Sequence, residues 1–304
     1  ASTTTANKFF ITKLSDYSPK DEPAGPGSSS PGASCSAHWF TVNGNMVAIA
    51  FYGNGIRVLD LSRLLPGPFA TLVLADLGAT VDKVEDPELG DYLRHAPPHV
   101  DGTSVAFHTL NRGKRSLVLN LKSADGAAVF RKLVASYDVV FEQFRPGVMD
   151  RLGIGHSVLL EDNPRLVICA LSGYGQTGPL RDRAGHDLDY LARAGILGLM
   201  GPEDGPPQLP SFQLADVSGG LWSIGAILAA LRERDQSGKG RILDIAMTDS
   251  VVPFATVTLA RLLGGELPRR GAEYLTGGVA AYDTYTTKDG NHVALGALEP
   301  QFLS

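Results

Sequence analysis

The feature that most constrains the fold of this chain is a strand–helix–strand pattern between residues 56 and 85. An apolar run at 56–61 is followed by helical spacing at 69–77, a stop at Gly78, and a second apolar run at 80–85. Two strands that are joined through one helix run parallel in the same sheet. The alternation continues with strand patterns at 116–121, 138–141, 165–172 and 240–246 and helical patterns at 124–136, 187–199, 217–232 and 248–263. We therefore predict an α/β protein with an open, doubly wound parallel sheet.

Two further patterns lie near the ends of the chain. Residues 1–45 include a stretch rich in Pro, Gly and Ser without a hydrophobic period, which cannot bury enough surface to offset its chain entropy. We predict that 1–45 is a disordered extension or a tag. Near the other end, Asp289-Gly290 separates strand patterns at 282–287 and 291–296 and predicts a β-hairpin.

Composition argues against several classes of function. The 304 residues carry a formal net charge of −5, whereas non-specific nucleic-acid binding requires a strongly basic face. We find no apolar run long enough to span a bilayer, so we expect neither nucleic acid nor membrane among the partners. Cys35 and Cys169 are too few for a secreted disulfide scaffold and favour a reducing, intracellular compartment, either cytoplasmic or organellar. The seven histidines show no metal-ligand spacing with cysteines, so we predict no metal site.

One histidine and three carboxylates occupy positions that suit catalysis, although the sequence lacks the usual phosphate-binding glycine turn. His186 and Asp187 stand where a glycine-containing turn enters a helix, and Asp216 stands at the start of another helical run. Side chains at a helix start meet partly positive N–H groups and can hold an anion. On spacing alone, helix capping by the aspartates is the simpler interpretation. Glu299 follows an apolar strand, where a catalytic group or a solvated charge is expected.

Basic residues cluster between positions 114 and 151. Arg145 follows a buried strand pattern, so its guanidinium should lie at an edge of the sheet, where it suits a diphosphate. A scatter of solvated charges explains the cluster equally well. The members of the cluster are Lys114, Arg115, Lys122, Arg145 and Arg151.

Several segments, taken in order, resemble the class III CoA-transferase family, and within it the α-methylacyl-CoA racemase branch. Each segment is short, but their shared order over residues 55–304 is specific. The resemblance implies a Rossmann-like large domain, a smaller α/β domain and an interlocked homodimer whose active site lies between the domains. The matching segments are 55–61, 66–68, 74–79, 111–117, 144–149, 171–179, 185–187, 237–240 and 299–302.

The resemblance also assigns roles to residues. It implies that His186 is the base on one face of the substrate α-carbon, and that Asp216, supported by Glu299, is the acid on the other face. The implied substrate is a 2-methyl-branched acyl-CoA; CoA is part of that substrate, so no separate cofactor is expected. Gly185 and Tyr190 would lie around the thioester. The other residues implied to contact CoA are Leu119, Asn120, Leu121, Lys122, Arg145 and Arg151.

Two departures from the family pattern leave alternatives open. Asp86 stands where the racemases usually carry an arginine that helps to bind the CoA nucleotide, and an acid there repels phosphate. The chain stops soon after Phe302, so we predict a large domain over 46–234 and only the start of a small domain over 235–304. One alternative is a CoA-transferase that forms an acyl anhydride on Asp187. Another is a truncated, non-catalytic CoA-binding member of the family.

Overall fold

The computed structural model describes residues 37–43, 46–51 and 55–302, and for the first two segments it describes the backbone alone. The strands are β1 (Ala37–Asn43), β2 (Met46–Phe51), β3 (Arg57–Asp60), β4 (Thr80–Glu85), β5 (His99–Val100), β6 (Thr103–Ser104), β7 (Arg115–Val118), β8 (Val139–Glu142), β9 (Val167–Ser172), β10 (Arg241–Ala246), β11 (Tyr282–Thr286) and β12 (His292–Gly296). The α-helices are α1 (Pro66–Asp76), α2 (Val105–Asn111), α3 (Ala124–Val134), α4 (Val148–Arg151), α5 (His156–Asp162), α6 (Asp187–Arg193), α7 (Leu214–Ser237), α8 (Met247–Ser250) and α9 (Thr256–Leu263). Short 3₁₀ helices lie at Tyr92–His95, Leu197–Leu199, Val252–Ala255 and Pro300–Phe302.

Six strands form the central sheet in the order β10-β9-β8-β3-β4-β7. β3 pairs in parallel with β4 on one side and with β8 on the other, and the pairs β4–β7 and β8–β9 are also parallel. Numbered along the chain, these strands follow the order 3-2-1-4-5-6 of a Rossmann sheet, which reverses between β3 and β8. The predicted open α/β sheet is therefore confirmed, and β3 and β8 form its topological switch point.

The strands at the centre of the sheet are covered on both faces, which is why their sequences are continuous apolar runs rather than alternating ones. Every residue of β8 and of β9 is buried. The surrounding core includes Phe130 and Val134 of α3 and Leu159 of α5. α3 begins where the Ser123 hydroxyl accepts the N–H of Gly126, so a side chain caps its first turn.

Two helices that the sequence predicts as single elements are divided in the structure. The predicted helix 187–199 ends at Arg193, because Gly195 adopts a φ of +78° that an α-helix cannot continue. The predicted helix 248–263 is divided by Pro253, which lacks the N–H that a helix interior requires, into α8, a 3₁₀ turn and α9. The unpredicted helices α2 and α5 are seven residues each, too short to display a clear helical period.

Antiparallel hairpins lie near both ends of the described chain. The predicted C-terminal hairpin is confirmed: Tyr282 of β11 pairs with Gly296 of β12, and Gly290 turns the chain with a φ of +80°. β1 and β2 form another hairpin. Residues 37–43 fall inside the segment predicted to be disordered or a tag, and the structure has the strand β1 there, which aromatic and β-branched residues favour. The rest of that segment, 1–36 and 44–45, lies outside the described residues.

The chain divides into two compact units. Among the described residues, the first comprises those up to 171 together with 220–244, and the second comprises 172–219 and 245–302. The division differs from the predicted boundary at 234/235, because the chain leaves the first unit at the end of β9 and returns to it within α7.

α7 is, by length and composition, apolar enough to cross a membrane, with a mean hydropathy of 1.6 over its most apolar window. The expectation that no apolar run reaches this length is therefore wrong for α7. Half of that window is buried within the chain, and the core helix of a globular protein meets the same criterion. The helix by itself is only weak evidence of a membrane segment.

Candidate active site

A cavity of about 460 Å³ lies at the carboxyl ends of the parallel strands in the first unit. Because ligands of open α/β sheets bind at the carboxyl ends next to the switch point, its position beside β3 and β8 makes it the candidate ligand site of the first unit. Its walls are the segments that follow β3, β4, β7 and β8, namely residues 61–63, 83–86 and 88–92, 119, 121 and 122, and 143–145, with Val148 and Leu152.

The buried acids in the cavity wall are already neutralised by partners. Glu85 accepts two hydrogen bonds from the Arg94 guanidinium, at 2.6 and 2.7 Å, and one from the Ser116 hydroxyl. Burial alone would raise the pKa of Glu85, but these bonds lower it to about 2. Asp91 forms an ion pair of 3.0 Å with the buried Lys83. These groups therefore add little net charge to the cavity.

Two arginines supply the positive charge that the cavity can offer to a ligand. The Arg63 guanidinium lies 4.9 Å from the ring centre of Tyr92 and 5.7 Å from that of Phe144. Within the described part of the chain, neither Arg63 nor Arg145 forms an ion pair with an acid, and both line the cavity. Guanidinium groups in such a position can bind phosphate by paired hydrogen bonds.

A buried charge network holds the loop after β3 in place. Asp60, fully buried, forms an ion pair of 3.2 Å with Lys114 and accepts a hydrogen bond of 2.6 Å from Thr71. Burial opposes its ionisation, but Lys114 and Lys83 together hold the pKa of Asp60 well below its usual range. Asp60 also accepts the N–H of Ser62, so the network fixes the chain immediately before Arg63.

Outside the segment 185–190, six residues are predicted to contact CoA. Four of them line this cavity, namely Leu119, Leu121, Lys122 and Arg145. The remaining two do not. The Asn120 side chain instead accepts the N–H of Lys122 at 3.0 Å, and Arg151 is exposed on α4. Arg63 was not predicted, although it follows β3 in the way that Arg145 follows β8.

Asp86 also lines the cavity and forms an ion pair with Lys122, one of the residues predicted to contact CoA. Its carboxylate lies 3.5 Å from the Lys122 ammonium and accepts the N–H groups of Glu88 and Leu89. Those two backbone hydrogen bonds lower the pKa of Asp86, with a smaller contribution from Lys122. Asp86 is therefore an anion that competes with phosphate for Lys122.

A second group of candidate residues gathers around the start of α6 in the second unit. The Tyr190 hydroxyl donates a hydrogen bond of 2.6 Å to the carbonyl of Gly185, and a Cβ at Gly185 would lie 2.7 Å from the Tyr190 ring. The N–H of His186 donates to Asp189 at 2.9 Å, while the His186 side chain is exposed. Tyr190 and Asp189 thus fix the backbone of the turn and leave the imidazole accessible.

Asp187 connects this turn to the start of α7. Its Oδ1 atom accepts the N–H groups of Ala215 at 2.6 Å and of Asp216 at 3.0 Å. Burial and, to a smaller extent, the negative charge of Asp187 raise the pKa of Asp216, His186 opposes them, and the resulting pKa is about 6. The start of α7 therefore provides a carboxyl group that can exchange a proton near neutral pH, and Asp187 joins it to the turn that carries His186.

Glu299 stands apart from these residues in its contacts. Its side chain is exposed, and its carbonyl accepts the N–H of Phe302 in the 3₁₀ turn that follows. Among the described residues, no hydrogen bond or ion pair joins the Glu299 carboxylate to His186 or Asp216. Its predicted support of Asp216 remains a prediction.

Comparison with known proteins places this arrangement in a family. Residues 54–304 match the profile of CoA-transferase family III. The chain belongs to this family. It is 42% identical over 251 residues to human alpha-methylacyl-CoA racemase, covering 82% of this chain and 62% of that protein. It is 39% identical over 244 residues to mouse succinyl-CoA:glutarate CoA-transferase, covering 80% of this chain and 56% of that protein.

A solved structure supports the same assignment of this family III member. A CaiB/BaiF family protein from Brucella suis matches with a TM-score of 0.72 and 38% identity, over 78% of this chain and 64% of that one. The α/β fold is therefore that of the family. This chain spans about three fifths of the length of the curated relatives described above. Because racemase and transferase relatives match almost equally well, identity alone does not separate the two activities.

Proposed function

We propose that this family III member is a racemase or epimerase of 2-methyl-branched acyl-CoA thioesters. The observation that carries the proposal is the contact of Asp187, which follows His186 directly, with the N–H of Asp216 at 3.0 Å, an acid whose pKa is raised to about 6. Inversion at one carbon needs two proton carriers, each able to hold or release a proton near the working pH. A neutral imidazole and a carboxyl group that keeps its proton by burial meet this need.

In the proposed reaction, the neutral His186 imidazole removes the α-proton, and the C–H electron pair moves into the thioester to form an enolate. The protonated Asp216 carboxyl then donates its proton to the opposite face of the same carbon. The step leaves an imidazolium and a carboxylate, and the reverse reaction exchanges their roles. The bond to sulfur stays intact, so CoA remains part of the substrate and no separate cofactor is proposed.

The cavity in the first unit is the proposed site of the CoA nucleotide. Support comes from Arg63 and Arg145, whose guanidinium groups suit a diphosphate, and from the aromatic rings of Tyr92 and Phe144, which suit a base. Lys122 would join them after leaving Asp86. A homodimer and an intracellular location are part of this proposal.

The test supplies each pure epimer of a 2-methylacyl-CoA and measures both epimers by chiral separation of the released acids. The proposal expects each epimer to give a mixture of the two. His186→Ala should lower the rate by roughly a hundred-fold or more, as expected for loss of a general base. If a protein that binds CoA left both epimers unchanged, the racemase proposal would be refuted.

A second candidate is a CoA-transferase with Asp187 as nucleophile, favoured by the similarity to succinyl-CoA:glutarate CoA-transferase. In that reaction the Asp187 carboxylate would attack the thioester carbonyl, release CoA thiolate and form an acyl anhydride, which an acceptor would then open. Hydroxylamine trapping of an acyl group on Asp187, together with CoA transfer to a free acid, would support it. Full activity of Asp187→Ala would exclude it.

A further inference from the structure

The Asp187 carboxylate has a role that neither candidate function assigns to it. One of its oxygens accepts two backbone N–H groups, from Ala215 and Asp216, which lie 28 and 29 residues further along the chain. These N–H groups belong to the first turn of α7, and the helix itself has no acceptors for them. A carboxylate is a favourable partner there, because it caps the helix and also meets the positive end of its dipole.

The contact fixes the position of Asp216 directly. Because the N–H of Asp216 itself is bound to Asp187, the backbone of the proposed acid is held to the first residue of α6. His186 immediately precedes Asp187, so the same carboxylate sets the spacing between the two proposed proton carriers. Any change that removes the carboxylate oxygen frees the start of α7 from that turn.

The contact also brings a negative charge close to Asp216. Two ionisable groups act on the Asp216 carboxyl: Asp187 favours its protonated form, and His186, when it carries a proton, favours its ionised form. α8 is joined to α7 by the hydrogen bond from Ser218 to the Ser250 carbonyl, and its charged group, Asp249, is exposed. On α6 itself, Asp189 accepts the N–H of His186. Asp187 is thus the acid that acts on the Asp216 proton.

We propose that Asp187 is a positioning residue for proton transfer, which fixes the backbone of Asp216 and, by its negative charge, keeps a proton on the Asp216 carboxyl. This inference rests on the proposed racemase function and deepens it. It also means that Asp187 keeps its two N–H partners through the reaction rather than leaving them to attack the substrate. The carboxylate acts through Asp216 and touches no reacting atom.

Two substitutions separate the two parts of this role. Asp187→Asn keeps an oxygen that can accept both N–H groups but removes the charge, whereas Asp187→Ala removes both. We expect Asp187→Asn to fold like the wild type and to lower the pKa of Asp216 by about one unit, the size of the effect of a nearby like charge. Proton donation by Asp216 should then be lost at lower pH than in the wild type. Asp187→Ala should show the same shift together with a lower melting temperature.

The measurements are the carboxyl ¹³C titration of Asp216 by NMR and the pH profile of epimer formation. Asp182→Asn is the matched control, because it removes one exposed acid from the same segment and should move neither quantity. Asp187→Glu keeps the charge, so its Asp216 pKa should lie closer to that of the wild type than the Asp216 pKa of Asp187→Asn does. An Asp216 titration that Asp187→Asn leaves unmoved would overturn the inference, as would an acyl adduct on Asp187. If the wild type forms no epimers, the proposed function fails, but the NMR titration still tests the electrostatic part.

Discussion

At the residue scale, the proposed chemistry depends on how the protein divides protons between His186 and Asp216. Burial and the charge of Asp187 bring the pKa of Asp216 up to about 6, close to neutral pH. A carboxyl group of this acidity can both donate a proton and take one up as the forward and the reverse reaction alternate. Surroundings that raise the pKa of one carboxyl group are therefore part of the proposed site.

The raised pKa of Asp216 predicts how stability depends on pH. A carboxyl group that binds its proton more tightly in the folded chain than in the unfolded chain lowers stability as pH rises through that window, here from about 4 to about 6. Asp216→Asn removes this penalty, so the variant should be more stable than the wild type at pH 7 by about 1–2 kcal/mol, with little difference at pH 4. Urea unfolding at both pH values tests this, and an equal difference at both would contradict it.

Part of the candidate site could be predicted from the sequence. A glycine turn and small residues mark the helix starts at His186, Asp187 and Asp216, the family resemblance implies their roles, and the structure joins Asp187 to the N–H of Asp216. The bond from Asp187 to α7 could not be predicted, because it joins residues 28 positions apart and depends on tertiary packing. Arg63 could have been found, since the rule that selected Arg145 after β8 applies equally after β3.

At the element scale, α7 has one glycine that is packed closely against α1, Gly220, and one that faces open space, Gly225. A Cβ at Gly220 would lie 2.8 Å from the Phe69 ring and 2.9 Å from the Pro66 carbonyl, whereas a Cβ at Gly225 would meet nothing within 4 Å. These neighbours of Gly220 are those of helix packing. The lack of a side chain at Gly220 lets α7 approach the start of α1.

These two glycines give a matched pair of substitutions in one helix. Gly220→Ala should destabilise the protein by about 1–3 kcal/mol, because α1 must move to admit the methyl group. Gly225→Ala should stabilise it by about 0.5–1 kcal/mol, since alanine loses less conformational entropy in a helix. Chemical unfolding of both variants tests the packing of α7, and destabilisation of equal size at both positions would contradict it.

Strands were easier to predict than helices in this chain. The predicted strand at 80–85 coincides with β4, and the predicted hairpin agrees with β11 and β12 to within one residue, because apolar runs and an Asp-Gly turn are local signals. Helix ends depended on single residues that interrupt a longer apolar period, such as Gly195 and Pro253. The order of strands in the sheet is a tertiary property, and the sequence predicted only that the strands are parallel.

At the scale of the whole molecule, the cavity predicts how CoA affinity responds to charge. Asp86→Asn releases Lys122 and removes a charge that repels phosphate, so CoA should bind about two- to fivefold more tightly, the effect expected of one exposed ion pair. Glu88→Gln is the control, because it removes an exposed acid from the same wall without freeing a lysine. Calorimetric titration with CoA measures both, and unchanged or weaker binding by Asp86→Asn would contradict the prediction.

The second unit exposes apolar side chains that a partner subunit could cover. Leu263 is 91% exposed, and Val257 in the same helix is 68% exposed. The proposed homodimer would bury these two side chains. Analytical ultracentrifugation should show a dimer. In the double variant Val257→Asp/Leu263→Asp the equilibrium should shift towards the monomer. A monomeric wild type at micromolar concentration would contradict the proposal.

The measurement that tests the central claim most directly is deuterium exchange at the substrate α-carbon. A (2R)-methylacyl-CoA is incubated with the protein in deuterated water, and the recovered thioester is analysed by NMR and chiral separation. If His186 removes the α-proton and Asp216 donates to the opposite face, the product contains deuterium at the α-carbon and both epimers. His186→Ala should lose this deuterium incorporation. An α-carbon that keeps its hydrogen while CoA binding is intact would contradict the account.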